Sequence, residues 1–274
     1  MIFEKVFFDN EPDDVYLECY IADPVSSYQR KGILVIPGGG YGAVCSDREG
    51  EPIAMAFLPH GYNAFVLHYS VARSKAYPSQ LIPASKAMKY IRDHAVQWQM
   101  DPYKIFVTGF SAGGHLAGSL GTMWHKKEVY DAIDMPYGYN KPAGMILVYP
   151  VVSGIGDYTH PGSFQNLLCT DTPTQEQLEM CSLQCNVDER SAPVYLIHTS
   201  NDDLVNIQNS LVLAQAYAKK GMLFEMHVYP DAPHGVALAN DITDCGSPKW
   251  NDPCIAKWVE NAALWAEKVE VVTG

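Results

Sequence analysis

Residues 104–117, KIFVTGFSAGGHLA, leave this chain little choice about what it builds. Ile105, Phe106, Val107, Thr108 and Phe110 are apolar or β-branched and read as a buried strand, while His115 to Met123 reads as a helix. Between them Gly109, Gly113 and Gly114 bracket Ser111 in a G-x-S-x-G pattern. A strand that turns into a helix this abruptly holds the residue at the bend in a sparsely populated backbone conformation, so its neighbours must be small. The helix that follows aims its free N–H groups and the positive end of its dipole back at the bend. A serine hydroxyl is a weak nucleophile at neutral pH. Here it gains exposure and partial positive charge, and it still requires a base and a pocket for a developing anion.

The rest of the chain alternates strand and helix. Met1 to Asp23 reads as two strands, with Val15, Leu17, Cys19 and Ile21 alternating against polar neighbours. Gly32 to Pro37 is an unbroken apolar run, as expected of a parallel strand covered on both faces, and it ends in three glycines. A helix over Glu49 to His60, a strand over Asn63 to Val71 and a helix over Pro78 to Gln99 follow. In that last helix Leu81, Ala84, Met88, Ile91, Ala95 and Trp98 form one stripe. Gly144 to Pro150 and Pro193 to Thr199 read as strands, separated by an irregular insert at about 151–192 with one short helix near Thr174 to Cys181. A helix over Ile207 to Lys219, capped by Asn206 and ended by Gly221, a strand over Phe224 to Tyr229 and a helix over Trp250 to Val269 complete the chain. The expectation is an α/β fold with a mostly parallel central sheet and helices on both faces. One domain spans 1–274 without a large cap, and ligands bind at the carboxyl ends of the strands.

Composition narrows the partners. With 19 Lys and Arg against 31 Asp and Glu, the net charge is −12, which repels phosphate backbones and anionic lipid surfaces, so neither nucleic acid nor membrane is expected. The opening residues lack a basic, then apolar, leader pattern, and no run approaches the roughly 20 apolar residues of a membrane span. A cytoplasmic location is the expectation unless a leader has been removed. A homo-oligomer stays open. Seven cysteines include no C-x-x-C pair, and Cys181 and Cys185, one helical turn apart, read as packing residues; no metal is expected.

The base is sought among nine histidines. His234, in the loop after the last strand and followed by Gly235, lies where a loop carries an imidazole over the serine. His115 reads as a local packing residue, His198 and His227 as strand residues, and His60, His68 and His160 as candidates for the pocket wall. A carboxylate is needed to hold the imidazole tautomer, and Asp202 or Asp203, after the strand ending at Thr199, fits the order nucleophile, acid, base. The anion pocket draws on the N–H of Ala112, just after the serine, and on the glycine loop of 37–41, PGGGY. Reading that loop as a dinucleotide site fails, because G-x-G-x-x-G breaks at Cys45 and the next strand ends in His68, Tyr69 and Ser70 without an acidic residue.

With these residues in hand, the chain resembles small α/β-hydrolases of the acetyl esterase, acetylxylan esterase and feruloyl-esterase-like group. The likeness runs from Lys31 to Trp265 and rests on PGGGY, DPYKIFVTGFSAGGHLAGSL, HPGSFQNLL, HTSNDDLVNIQNSL and PDAPHGVAL. It implies that the acid sits first in D-x-x-V-P, which selects Asp202, although Asn206 replaces the proline. It also implies oxyanion donors from Gly39, Gly40 and Ala112. Pro37 stands where related lipases carry the histidine of an HGGG motif, and the helical cap of those lipases is missing.

The implied activity is serine-dependent hydrolysis of a carboxylic ester through an acyl-enzyme, without a cofactor. The expected substrate is a small ester, an acetylated sugar or xylo-oligosaccharide, since the insert is too polar to receive a fatty chain. Tyr41 and Trp250 are expected to bind it, among six rings (with Tyr69, Tyr77, Trp124 and Tyr158) near the carboxyl edge, half of which are expected to be core or surface residues. Two alternatives remain: an arylformamidase or amidase of the same fold, and a catalytically inactive binding protein.

Overall fold

A computed structural model describes residues 1–71 and 73–270. In chain order these form β1 (Ile2–Phe7), β2 (Tyr16–Ile21), β3 (Arg30–Ile36), α1 (Ser46–Glu49), α2 (Glu51–Phe57), β4 (Tyr62–His68), α3 (Leu81–His94), β5 (Met100–Phe110), α4 (Ser111–Thr122) and α5 (Lys127–Ala132). There follow β6 (Met145–Val148), α6 (Pro161–Leu168), α7 (Gln175–Cys181), β7 (Val194–Thr199), α8 (Gln208–Lys220), β8 (Phe224–Tyr229) and α9 (Trp258–Lys268). All eight strands join one sheet in the order β1-β2-β4-β3-β5-β6-β7-β8. β1 and β2 pair antiparallel, as do β2 and β4, and every later pair is parallel.

Alternation within the central strands assigns the two faces of the sheet. Leu34 and Ile36 of β3 pack with Leu81, Met88 and Ile91 of α3 and Leu116 and Leu120 of α4, while Ile33 and Val35 pack with Ile53 and Phe57 of α2 and Trp258 of α9. Phe106 is fully buried on the second face, where truncation to alanine costs about 3–5 kcal/mol. The parallel strands therefore run all their carboxyl ends toward one edge, and the loops gathered there carry the site.

Boundaries shift where proline and glycine intervene. The helix expected over Glu49 to His60 is split: Gly50, at φ −107° and ψ −102°, leaves the helical region, α2 restarts at Glu51 with Pro52 in its first turn, and Leu58–His60 tightens to a 3₁₀ turn. The helix expected over Pro78 to Gln99 is α3 alone, since beyond His94 the N–H groups of Ala95 and Gln99 reach back only three residues, to Arg92 and Val96. The long helix expected from Trp250 starts at Trp258, after 3₁₀ turns at Pro248–Trp250 and Ile255–Lys257. The insert holds two α-helices rather than one. α6 begins at Pro161 and offers only Phe164, Leu167 and Leu168 to the core, a single turn of apolar residues. Gly221 ends α8 in the left-handed conformation, at φ +64°, as expected. Asn206 does supply an early bond to α8, its Oδ1 accepting from Gln208 N–H at 2.9 Å, although Ile207 occupies the capping position.

Candidate active site

Ser111 stands at the junction of β5 and α4 with φ +51°, in the left-handed region that a residue other than glycine rarely occupies. The strain persists because the surroundings leave no slack. A Cβ on Gly113 would lie 2.2 Å from the carbonyl oxygens of both Ile36 and Pro37, and one on Gly109 would lie 2.3 Å from the Gly113 oxygen. The start of α4 thus rests directly on the end of β3, and the glycines of G-x-S-x-G permit that approach. The helix starts at Ser111 itself, four residues before its expected start, so Ala112 lies in its first turn with no preceding turn to receive its N–H.

His234 Nε2 lies 2.9 Å from Ser111 Oγ, and His234 Nδ1 lies 2.8 Å from Asp202 Oδ2. The serine comes from the end of β5, the aspartate from the loop after β7 and the histidine from the loop after β8. Asp202 has its side chain 1% exposed. Its Oδ1 accepts the N–H groups of Leu204 at 2.9 Å and Val205 at 2.8 Å. Burial works against its ionisation, but bonds from His198, His234 and these amides outweigh that and hold the carboxyl far below the usual carboxylate range. Asp203 faces elsewhere: its Oδ1 accepts the backbone N–H of His234 at 3.0 Å.

The glycine loop lies over the same centre. Gly39 and Gly40 take φ values of +127° and +62°, and among the described residues their N–H groups donate no hydrogen bond, whereas the Gly38 N–H is spent on Glu49 Oε2 at 2.8 Å. That leaves Gly39, Gly40 and Ala112 as free donors; Ala112 follows Ser111 directly, and the loop adjoins the serine at Gly38, where a Cβ would lie 3.0 Å from the Ser111 Cβ. The loop is held from outside by Asn166 of α6, whose Nδ2 donates to Gly40 O at 2.9 Å, and by Tyr69, whose hydroxyl donates to Pro37 O at 2.8 Å.

Tyr41 corrects an expectation. It is 1% exposed, so its ring has no face to offer a substrate. Its hydroxyl donates to His115 Nδ1 at 2.8 Å, and His115 Nε2 donates to Cys181 O at 2.8 Å, which ties the glycine loop through α4 to the insert. Of the six rings expected near the carboxyl edge, Tyr41, Tyr69 and Trp124 are buried, while Tyr77, Tyr158 and Trp250 are half-buried. The Trp250 ring stacks on the Arg48 guanidinium at 4.9 Å, and Arg48 Nη2 lies 3.2 Å from where a Cβ on Gly235 would be, so the tryptophan adjoins the loop of His234 through Arg48.

Among the pocket candidates, His160 is close enough to His234 and Asp202 to sense their charge; burial first, then His234, lowers its pKa. His60 ends the 3₁₀ turn that follows α2, and His68 stacks on Tyr16. Two residues of the site escaped sequence reading, Glu49 and Tyr149. Glu49 reads as an ordinary helix-surface acid. Tyr149, the polar group ending the apolar run MILVYP, carried the one signal that was available.

The BD-FAE family model matches residues 17–217, and that of the dienelactone hydrolase family matches residues 178–262. The chain belongs to the BD-FAE family. It is 38% identical over 218 residues to endo-1,4-beta-xylanase B of Butyrivibrio fibrisolvens, covering 78% of this chain and 33% of that protein. It is 27% identical over 239 residues to an acetylxylan esterase of Xylanibacter ruminicola, covering 84% of this chain and 46% of that protein. This BD-FAE chain therefore spans a third to just under a half of the length of these curated relatives.

The crystal structure of an acetyl ester-xyloside bifunctional hydrolase from Caldicellulosiruptor lactoaceticus superposes with a TM-score of 0.81 at 33% identity, over 97% of this chain and 92% of that one. The carboxylesterase Cest-2923 from Lactobacillus plantarum superposes with a TM-score of 0.84 over the whole of both chains at 24% identity, a likeness of fold. The fold is that of the α/β-hydrolases, and the chain stands among their carboxylic ester hydrolases. Among the described residues no helix is long and apolar enough to cross a membrane.

Proposed function

We propose that this chain is a serine esterase that removes acetyl groups from acetylated sugars or xylo-oligosaccharides. The observation that carries the reading is the line Ser111 Oγ, His234, Asp202, with both contacts within 2.9 Å. Ser111 attacks the ester carbonyl as His234 Nε2 takes its proton, and Asp202 holds the Nδ1–H tautomer and stabilises the imidazolium. The N–H groups of Gly39, Gly40 and Ala112 receive the oxyanion, and His234 returns the proton to the departing alcohol. Water then enters by the same route in reverse, and acetate leaves. The reaction needs only groups of this chain and water.

The substrate class draws support from two sources. An acetylxylan esterase and an acetyl ester-xyloside hydrolase are among the relatives and structural neighbours. Trp250 is half-buried and adjoins the loop of His234 through Arg48, which places an aromatic side chain, the kind that packs on apolar sugar faces, near the site. The one sheet that takes in all eight strands supports reading 1–274 as a single hydrolase domain.

The test has two arms. A fluorophosphonate probe should label the wild type and not Ser111→Ala. Acetate release from acetylated xylo-oligosaccharides should accompany a kcat/KM that falls from acetyl to butyryl to octanoyl aryl esters. Octanoyl preference by tenfold with no acetate released from sugar would end the substrate reading.

A further inference from the structure

Glu49 is 2% exposed, and it lies in neither the serine turn nor the histidine loop. Burying a carboxylate is costly unless donors reach its oxygens, and here each oxygen has one. Oε2 accepts the Gly38 N–H at 2.8 Å, and Oε1 accepts the Tyr149 hydroxyl at 2.8 Å. The Tyr149 oxygen in turn accepts the N–H of Ala237 at 3.0 Å, three residues beyond His234. The Tyr149 ring stands edge-on to the His234 imidazole, with centroids 4.8 Å apart and planes at 65°. Tyr149 itself is held at φ +39° just after β6, a conformation that persists only where its contacts fix it.

One side chain therefore spans the peptide that precedes the free donors of Gly39 and Gly40 and, through Tyr149, the loop that carries the base. We infer that Glu49, acting through Tyr149, is a positioning residue that sets the oxyanion donors and His234 relative to each other; the inference rests on the serine-esterase reading of the site. Burial raises the pKa of Glu49 above the usual carboxylate range, while Gly38, Tyr149, Arg48 and His234 pull it back.

The need for a carboxylate follows from counting donors and acceptors. Gly38 N–H and the Tyr149 hydroxyl both donate, so both facing atoms must accept, and a carboxylate is acceptor at both ends. Glutamine has the same shape but one acceptor. Set with its oxygen toward Gly38, it aims an NH₂ at a tyrosine oxygen already receiving Ala237 N–H, and the hydroxyl hydrogen loses its place. Set the other way, two N–H groups collide.

The experiment measures kcat and KM on an aryl acetate for the wild type, Glu49→Gln, Tyr149→Phe and the double variant, with amide hydrogen exchange at Gly38 and Ala237. Glu49→Gln should lower kcat roughly 10- to 100-fold with KM within about twofold, less than the 10²–10³ expected for deleting an oxyanion donor outright. Tyr149→Phe should lower kcat roughly tenfold and speed exchange at Ala237. The double variant should fall no lower than about threefold below Glu49→Gln, because both changes cut one chain of bonds.

A folded Glu49→Gln with unchanged kcat, a loss confined to KM, or multiplicative losses in the double variant overturns the inference. Should Glu49→Gln fail to fold, Tyr149→Phe, which keeps the ring, decides by the same kcat criterion. An inert wild type overturns the esterase reading instead, and exchange at Ala237 then judges the bridge: if Tyr149→Phe leaves it unchanged, the bridge fails.

Discussion

Asp203 Oδ1 accepts the backbone N–H of His234 at 3.0 Å, while the carboxylate one residue earlier holds the imidazole of the same histidine. Two adjacent aspartates thus grip one residue by different atoms, and substitution should separate them. Asp202→Asn loses the acceptor that fixes the tautomer, and kcat should fall about 10⁴-fold, as it does when the triad aspartate of a serine protease becomes asparagine. Asp203→Asn keeps an oxygen for the His234 amide, and its loss should stay below about tenfold. Steady-state kinetics on an aryl acetate decide, and equal losses would reverse the assignment of the acid.

Removing the Ser111 hydroxyl leaves the free N–H groups of Gly39, Gly40 and Ala112 in place. Ser111→Ala should therefore retain only the roughly 10³–10⁴-fold acceleration over water that an oxyanion hole and binding supply in a comparable triad. Mass spectrometry of the wild type in turnover should find acetyl on Ser111. Near wild-type rates in pure Ser111→Ala protein would reject the nucleophile.

Two glycines should respond unequally to alanine. At Gly113 the new Cβ would lie 2.2 Å from two backbone oxygens of the β3 end, which cannot move without opening the sheet, so the loss should be about 3 kcal/mol or more. At Gly40 the nearest atom is the Ser163 hydroxyl at 3.9 Å, and the cost reduces to the left-handed φ, about 1–2 kcal/mol. Urea unfolding of both variants tests the contrast. Equal losses would mean that close approach is not what Gly113 serves.

The particular residues explain what the sequence could and could not reveal. Ser111 and His234 could be paired from the sequence because each follows a parallel strand and carries a side chain suited to one role, so order along the chain stood in for geometry; order left Asp202 and Asp203 open, since both follow β7, and only the resemblance chose between them. The sheet was legible for the same reason: β3, β5 and β7 are built around unbroken apolar runs. Glu49 was hidden because Gly50 ends α1 immediately after it and turns what reads as a surface helix position into a buried one. Tyr41 misled because its place after GGG suggests an exposed rim, whereas φ +56° turns the ring inward to His115. α6 was hidden because one turn of apolar residues beginning at a proline has no period to detect.

His115 makes the stability of the fold depend on pH. Its ring is fully buried, and burial lowers its pKa to about 4, against the bond to Cys181 O, which favours the charged form. In the neutral ring Nε2–H donates to that carbonyl and Nδ1 accepts from the Tyr41 hydroxyl; protonation puts a hydrogen on Nδ1 and sets two donors face to face. An unfolded histidine titrates near 6.5, so between about pH 6.5 and 4 the unfolded chain binds more protons than the folded one, and stability falls as the pH falls. The drop from about 6.5 to about 4 corresponds to about 3 kcal/mol, fully present above pH 6.5 and lost as the pH drops through 4. Other half-buried histidines, His68, His125 and His160, are lowered as well, so the wild type alone does not isolate the effect. His115→Gln removes the titration and keeps an acceptor for Tyr41. Urea unfolding of both proteins at about pH 7, 6, 5 and 4 should give a difference that closes toward low pH by about 3 kcal/mol. Because Tyr41 follows Gly40 directly, wild-type activity should fail at a higher pH than that of His115→Gln. Parallel stability curves would show that the buried imidazole is not what makes the fold acid-sensitive.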